Sequence, residues 1–127
     1  MKIRWSKNGV RFRITPSELE SLQRGEVVSE SVEIGRLDWF AAITPHRRHE
    51  IEAMQGHFVI RLSRAELAEL ADPANEGVYF TTDDETPVRY CIEKDFPCAH
   101  PRSSEANEPA SETFAPTPDF EQRKQQN

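Results

Sequence analysis

No stretch of these 127 residues approaches the ~18–20 consecutive apolar residues of a membrane-spanning helix. The opening residues, MKIRWSKNG, carry basic charge but no apolar stretch of the kind a secretory signal needs. A cytoplasmic protein is the expectation. Cysteine is scarce: Cys91 and Cys98 stand seven residues apart, and ~23 Å of extended chain would keep them beyond disulfide reach. Two reduced thiols are expected. Together with His100 they supply too few ligands for a structural zinc site, which takes four. There is no Gly-rich phosphate loop and no nucleophile elbow, and "TTDDETP" lacks the ligand spacing of a calcium loop. Neither a cofactor nor a metal is expected. Positive charge is also in deficit. A net charge of −6 withholds the basic field that general nucleic-acid or anionic-membrane binding requires, and leaves room only for a local basic patch.

Apolar residues make up 36% of the chain, and they are unevenly spread. From Ala99 to Asn127 the only large apolar residues are two phenylalanines, among Pro, Ser, Glu, Gln and Asn without periodicity. Such a stretch buries too little surface to offset its ordering entropy. The expected organisation is one domain over residues 1–98 and a disordered polar tail over 99–127. A domain of that size holds a single modest core.

Within the domain the chain repeats itself. "FRITPSELESL" (12–22) returns 48 positions later as "IRLSRAELAEL" (60–70). Each copy begins in strand alternation: Val10, Phe12 and Ile14 against Arg11 and Arg13, then Phe58, Ile60 and Leu62 against Val59 and Arg61. Each then carries a capping box, Thr15 with Glu18 and Ser63 with Glu66, ahead of a helix of about two turns. Pro16 suits the first helical position, where its missing N–H costs nothing. The first helix stops at Arg24-Gly25 and the second at Asp72-Pro73. Hairpins flank both helices, with strands at 2–6, 10–14, 27–34, 37–43, 50–54, 57–62, 77–82 and 87–94. Asn8-Gly9 is a strong turn signal. The pattern predicts an α+β domain of two strand–strand–helix–strand–strand pseudo-repeats from an internal duplication. Its eight antiparallel strands should form a barrel or a strongly curved sheet, since open edges are a liability.

Alternation also sorts the charges. Arg4, Arg11 and Arg13 fall on one face of the first hairpin, Arg61 takes the matching place in the second half, and Arg89 sits opposite Val88, Tyr90 and Ile92. Glu33, Glu50, Glu52 and Glu93 occupy the same non-core phases. A solvated face with cross-strand ion pairs is one reading. The other is an enclosed lumen whose guanidinium forks clamp phosphate or carboxylate groups. Glu50-Ile51-Glu52 is similar to the paired glutamates of triphosphate-tunnel barrels, which hold a divalent metal beside Arg and Lys. Met54 replaces the basic residue expected there, and the motif lies mid-chain rather than at the domain's start. His46 and His49 flank Arg47-Arg48 in a segment that reads as a basic loop.

Three stretches, Met1–Arg4, Val10–Leu19 ("VRFRITPSEL") and Glu93–Cys98 ("EKDFPC"), carry a further resemblance. They resemble an uncharacterised bacterial domain family with an M-K-I-R start, V-R-x-R-[IL]-[ST]-x-S-E-[LV] and E-K-D-F-x-C. The resemblance implies no activity, cofactor or ligand. The functional expectation is therefore a small non-catalytic cytoplasmic module with a protein partner, or a homodimer. Its surface would combine the arginine face (Arg4, Arg11, Arg13, Arg61, Arg89) with Glu50, Glu52, Glu93 and Lys94. The alternative is a metal-dependent phosphohydrolase-like barrel that binds a phosphorylated small molecule in an Arg/Glu-lined lumen.

Overall fold

The computed structural model describes residues 1–96 and 114–115. Eight strands and two helices follow one another as β1 (Lys2–Ser6), β2 (Gly9–Ile14), α1 (Pro16–Gln23), β3 (Val28–Ile34), β4 (Leu37–Pro45), β5 (Glu50–Met54), β6 (His57–Leu62), α2 (Arg64–Ala71), β7 (Gly77–Thr81) and β8 (Arg89–Lys94). The chain is thus α+β, in the expected element order. Among the described residues no helix is long and apolar enough to cross a membrane.

The strands form two four-stranded sheets, β1-β2-β8-β7 and β3-β4-β6-β5, with no closed barrel. The sheets are also mixed. The four hairpins are antiparallel, but β2 runs parallel to β8 and β4 parallel to β6. Alternation reports which face of a strand is buried, not which strand lies beside it, so the sequence could not show this exchange. Each sheet takes one hairpin from each half of the chain. Parallel neighbours need a crossing segment between them: most of the chain separates β2 from β8, and the 46–49 loop with β5 separates β4 from β6. All four hairpin turns consequently lie at one end of the sheets, and the two helices lie at the other.

The inner faces share one core. Phe12, Ile14, Leu22, Ile43, Ile60, Leu62, Leu70 and Ile92 are fully buried, and Phe12 stacks across on Phe58 at 5.5 Å. The short helices contribute Leu19, Leu22 and Leu70. Too short to be stable alone, they depend on this packing and on their caps. Thr15 Oγ1 accepts from the Glu18 amide, and the Glu18 carboxylate accepts from the Thr15 amide at 2.9 Å. Ser63 and Glu66 repeat this arrangement.

The second oxygen of each glutamate reaches to the residue before a strand. Glu18 Oε2 holds the Met1 amine at 2.7 Å, with Glu30 at 3.0 Å on its other side. Glu66 Oε2 lies 3.4 Å from His49 Nδ1. His49 stands 48 positions after Met1, the offset of the sequence repeat. Burial lowers the affinity of the Met1 amine for its proton. Glu18 and Glu30 outweigh that effect by hydrogen bond and charge, and hold the amine above its ordinary value of 8.0.

Beyond β8 the chain meets the core again. The Asp95 amide donates to the Ile14 carbonyl, and the Phe114 amide to the Asp95 carbonyl at 2.8 Å. The Phe114 ring packs on the core and 6.2 Å from the Phe96 ring. The expected tail at 99–127 otherwise lies outside the described residues, as does Cys98.

Two outcomes test these anchors. Thr15→Ala and Ser63→Ala should each cost about 0.5–2 kcal/mol in urea titrations, the usual price of losing a cap. Neutrality of either would show that its helix start is held by packing alone. Glu30→Gln should destabilise near pH 7 by removing a partner of the Met1 ammonium. Because the folded-state pKa is raised, that contribution is complete below pH 8 and fades as the amine deprotonates. Wild type and variant should therefore converge once the pH has risen past the amine's raised pKa. A difference that persists there would assign the role of Glu30 to something other than the amine.

Candidate ligand-binding site

Register determines which side chains share the outer face of the β1-β2-β8-β7 sheet. One row across it reads Arg4, Arg11, Cys91, Tyr79; the next reads Lys2, Arg13, Glu93, Gly77; the third reads Ser6, Gly9, Arg89, Thr81. These three rows thus hold five cations and one acid, with Asp95 beyond them at Lys2, in a chain whose net charge is −6. An open groove of about 810 Å³ runs over it, lined by Arg4, Arg11, Arg89, Tyr79 and Cys91 among others.

Gly9 sets part of the groove's floor. A Cβ there would meet the Arg89 carbonyl oxygen at 1.9 Å, so only glycine lets β2 and β8 begin their pairing.

Glu93 organises the middle of the face. It pairs with Arg11 Nε at 2.6 Å, accepts from the Tyr79 hydroxyl at 3.2 Å, and takes the Cys91 thiol at 3.5 Å. Burial first, and then Glu93, pushes the Cys91 thiol up from its ordinary 9.0 to about 11, against the opposing pull of Arg11. A protonated thiol is a poor nucleophile at neutral pH, so Cys91 lines the groove without arming it. Lys2 reaches Asp95 at 3.0 Å. Arg4, Arg13 and Arg89 have no ion-pair partner among the described residues, and all three are exposed.

The remaining sequence candidates lie elsewhere. Arg61 is on the outer face of the other sheet, 2.8 Å from Glu52 and 3.7 Å from Glu50. Arg48 also pairs with Glu50 and, chiefly by that hydrogen bond, holds its carboxyl below the usual range. Glu33 and Asp38 oppose each other on the same face, which is therefore mainly acidic. The expected arginine face is divided between two sheets, and no lumen collects its members. Lys94 points inward: its ammonium donates to the Asp72 carbonyl at 2.7 Å, at the end of α2, and lies 5.7 Å from the Phe114 ring centre. Burial pulls its pKa down. Lys94 is thus a helix C-terminal partner and is withheld from the surface.

Tyr90, His49 and Glu66 stand in the order of a proton relay. The Tyr90 hydroxyl is 2.6 Å from His49 Nε2, but Tyr90 is only 4% exposed. The His49 ring stacks on Phe80 at 4.0 Å and on Tyr90 at 5.8 Å. The three rings pack on one another, Phe80 on Tyr90 at 5.2 Å, as part of the interior. The histidine read as part of a solvated loop is instead a plug between β5 and β7.

Sequence reasoning missed a second surface. Trp5, Val32, Ile34, Trp39, Met54 and Val88 are 40–65% exposed and line an apolar groove of about 650 Å³ between β1 and β3. Alternation placed Trp5 on the core side correctly. What it could not reveal is that the core side is uncovered at the turn end. The one available signal is an unusual density of Trp, Ile and Val beside the hairpin turns.

No curated protein and no solved structure matches the chain. A family does: residues 1–115 match DUF7009, a span that contains both sheets, both helices and the docked Phe114. The chain belongs to this family, which is a family of unknown function.

Proposed function

We propose that the protein is a non-catalytic binding module that takes an anionic group, phosphate or carboxylate, on the outer face of β1-β2-β8-β7. The observation that carries this reading is the register that gathers Lys2, Arg4, Arg11, Arg13 and Arg89 on one face, where Glu93 answers Arg11 and Asp95 answers Lys2 but Arg4, Arg13 and Arg89 have no ion-pair partner among the described residues. Unpaired guanidinium forks flanking a groove suit bidentate recognition of such groups. Tyr79, 62% exposed, adds an aromatic face beside them. The phosphohydrolase-like alternative needs Arg4 and Arg13 to share a lumen with Arg61, Glu50 and Glu52, and their separation onto two sheets favours binding over that chemistry. A cytoplasmic setting fits the free thiol of Cys91. The paired Glu18 and Glu66 contacts support descent of the two halves from an internal duplication.

The test is thermal protection by tripolyphosphate without added metal, at low ionic strength. A ligand at a hundredfold excess over its Kd stabilises by about 2.7 kcal/mol, or roughly 10 °C or more for a domain of this size. Arg4→Ala and Arg89→Ala should each abolish most of the shift, whereas Arg61→Ala should retain it. Absence of any shift would sink the proposal. A shift lost only in Arg61→Ala would move the site to the other sheet and restore the alternative.

A further inference from the structure

The two sheets are unequally closed. At the helix end, Met1 bridges Glu18 on α1 and Glu30 on β3, and the helices cover the core. On the β5–β7 side, His49 fills the cleft against Phe80 and Tyr90. On the β1–β3 side Met1 takes the place of His49, and the turn end beyond it stays open. Trp5 and Phe58 meet edge to face there at 6.2 Å, and the apolar groove opens outward.

We propose that this mouth is the contact between two copies of the chain. Three observations favour a second copy over other occupants. The first is size. A tryptophan buries ~150–250 Å² when fully covered, so Trp5 and Trp39 with Val32, Ile34, Met54 and Val88 make a patch of several hundred Å². That is at or beyond the ~300–600 Å² of the largest patch on a typical monomer, and near the ~800 Å² per partner of a standard interface. The second is charge. Lys7 and Arg36 occupy the turns on the β1–β3 side of this end, and Asp83, Asp84 and Glu85 the turn on the β7–β8 side. A twofold axis through the end would set each basic rim against the other copy's acidic rim, the self-complementarity that an isologous dimer requires. The third is the bare edges: β1 and β3 are both edge strands flanking the groove, and an exposed apolar edge is a hazard unless covered. The basic face of β1-β2-β8-β7 would remain open in such a dimer, since it looks sideways from the strands.

Sedimentation equilibrium of the full chain tests this. The expected mass is about twice the monomer's 14.6 kDa at tens of micromolar, falling on dilution. Ile34→Glu and Trp39→Glu alter exposed side chains and should leave the circular dichroism intact while weakening dimerisation ~30-fold or more, as at a hot spot. Substituting Asp83→Lys, Asp84→Lys and Glu85→Lys together should also favour the monomer, and adding Lys7→Glu with Arg36→Glu should restore the dimer. A single-chain mass at every concentration overturns the proposal. So does a dimer indifferent to both apolar variants. A monomer whose melting temperature rises with a fatty acid or mild detergent would assign the mouth to a small apolar ligand instead, and would equally overturn it.

Discussion

Two carboxylates hold this architecture together. Glu18 and Glu66 each serve two structures at once, one oxygen on the cap of the following helix and the other toward the residue that precedes a hairpin. A capping box ordinarily settles only where a helix starts. Here it also fixes the approach of β1 to α1 and of β5 to α2, so the helix end of both sheets is drawn closed. The opposite end has only hairpin turns, which hold strands within a sheet but cannot draw two sheets together. The asymmetry between a sealed end and an open, apolar one follows from that difference.

Charge is segregated by the same topology. Because each sheet takes one hairpin from each half, the outer residues of β1 and β2 lie beside those of β8, and the outer residues of β5 and β6 beside those of β4 and β3. The first combination is basic and the second acidic, although the chain's net charge is only −6. Local field and net charge are separate quantities. An overall acidic chain can still present a cationic face where its strands happen to be neighbours.

Much of the fold was legible from the residues. Period-two alternation located the strands, and the S/T-x-x-E spacing located both helix starts, because these signals are local. Sheet partnership is not local: nothing in "VRFRI" or "VRYCIE" says that they run side by side in the same direction. Hence the barrel expectation, and hence an arginine face that turned out to be two. Lys94 shows the limit from another side. It follows the alternation faithfully to an inward position, and only the carbonyl end of α2, where the Asp72 carbonyl accepts from its ammonium, explains why a lysine is tolerated there. His49 is similar. In "TPHRRH" it reads as one basic residue among several, and its role as a plug depends on aromatic rings contributed by β7 and β8, well beyond it in the same half of the chain.

If the basic face takes an anion as proposed, its arginines would divide the work of binding. Arg11 is held by Glu93 at 2.6 Å, so its position is already ordered and its charge largely answered. Arg4 and Arg89 have no such partner among the described residues, and exposed long side chains keep their rotamer entropy until a ligand orders them. An incoming anion would then meet its attraction at Arg4 and Arg89 and its geometry at Arg11. Electrostatic binding of this kind relies on partly solvated charges, so salt should weaken it strongly. The apolar mouth at the turn end has no comparable dependence in its centre, only at its charged rim.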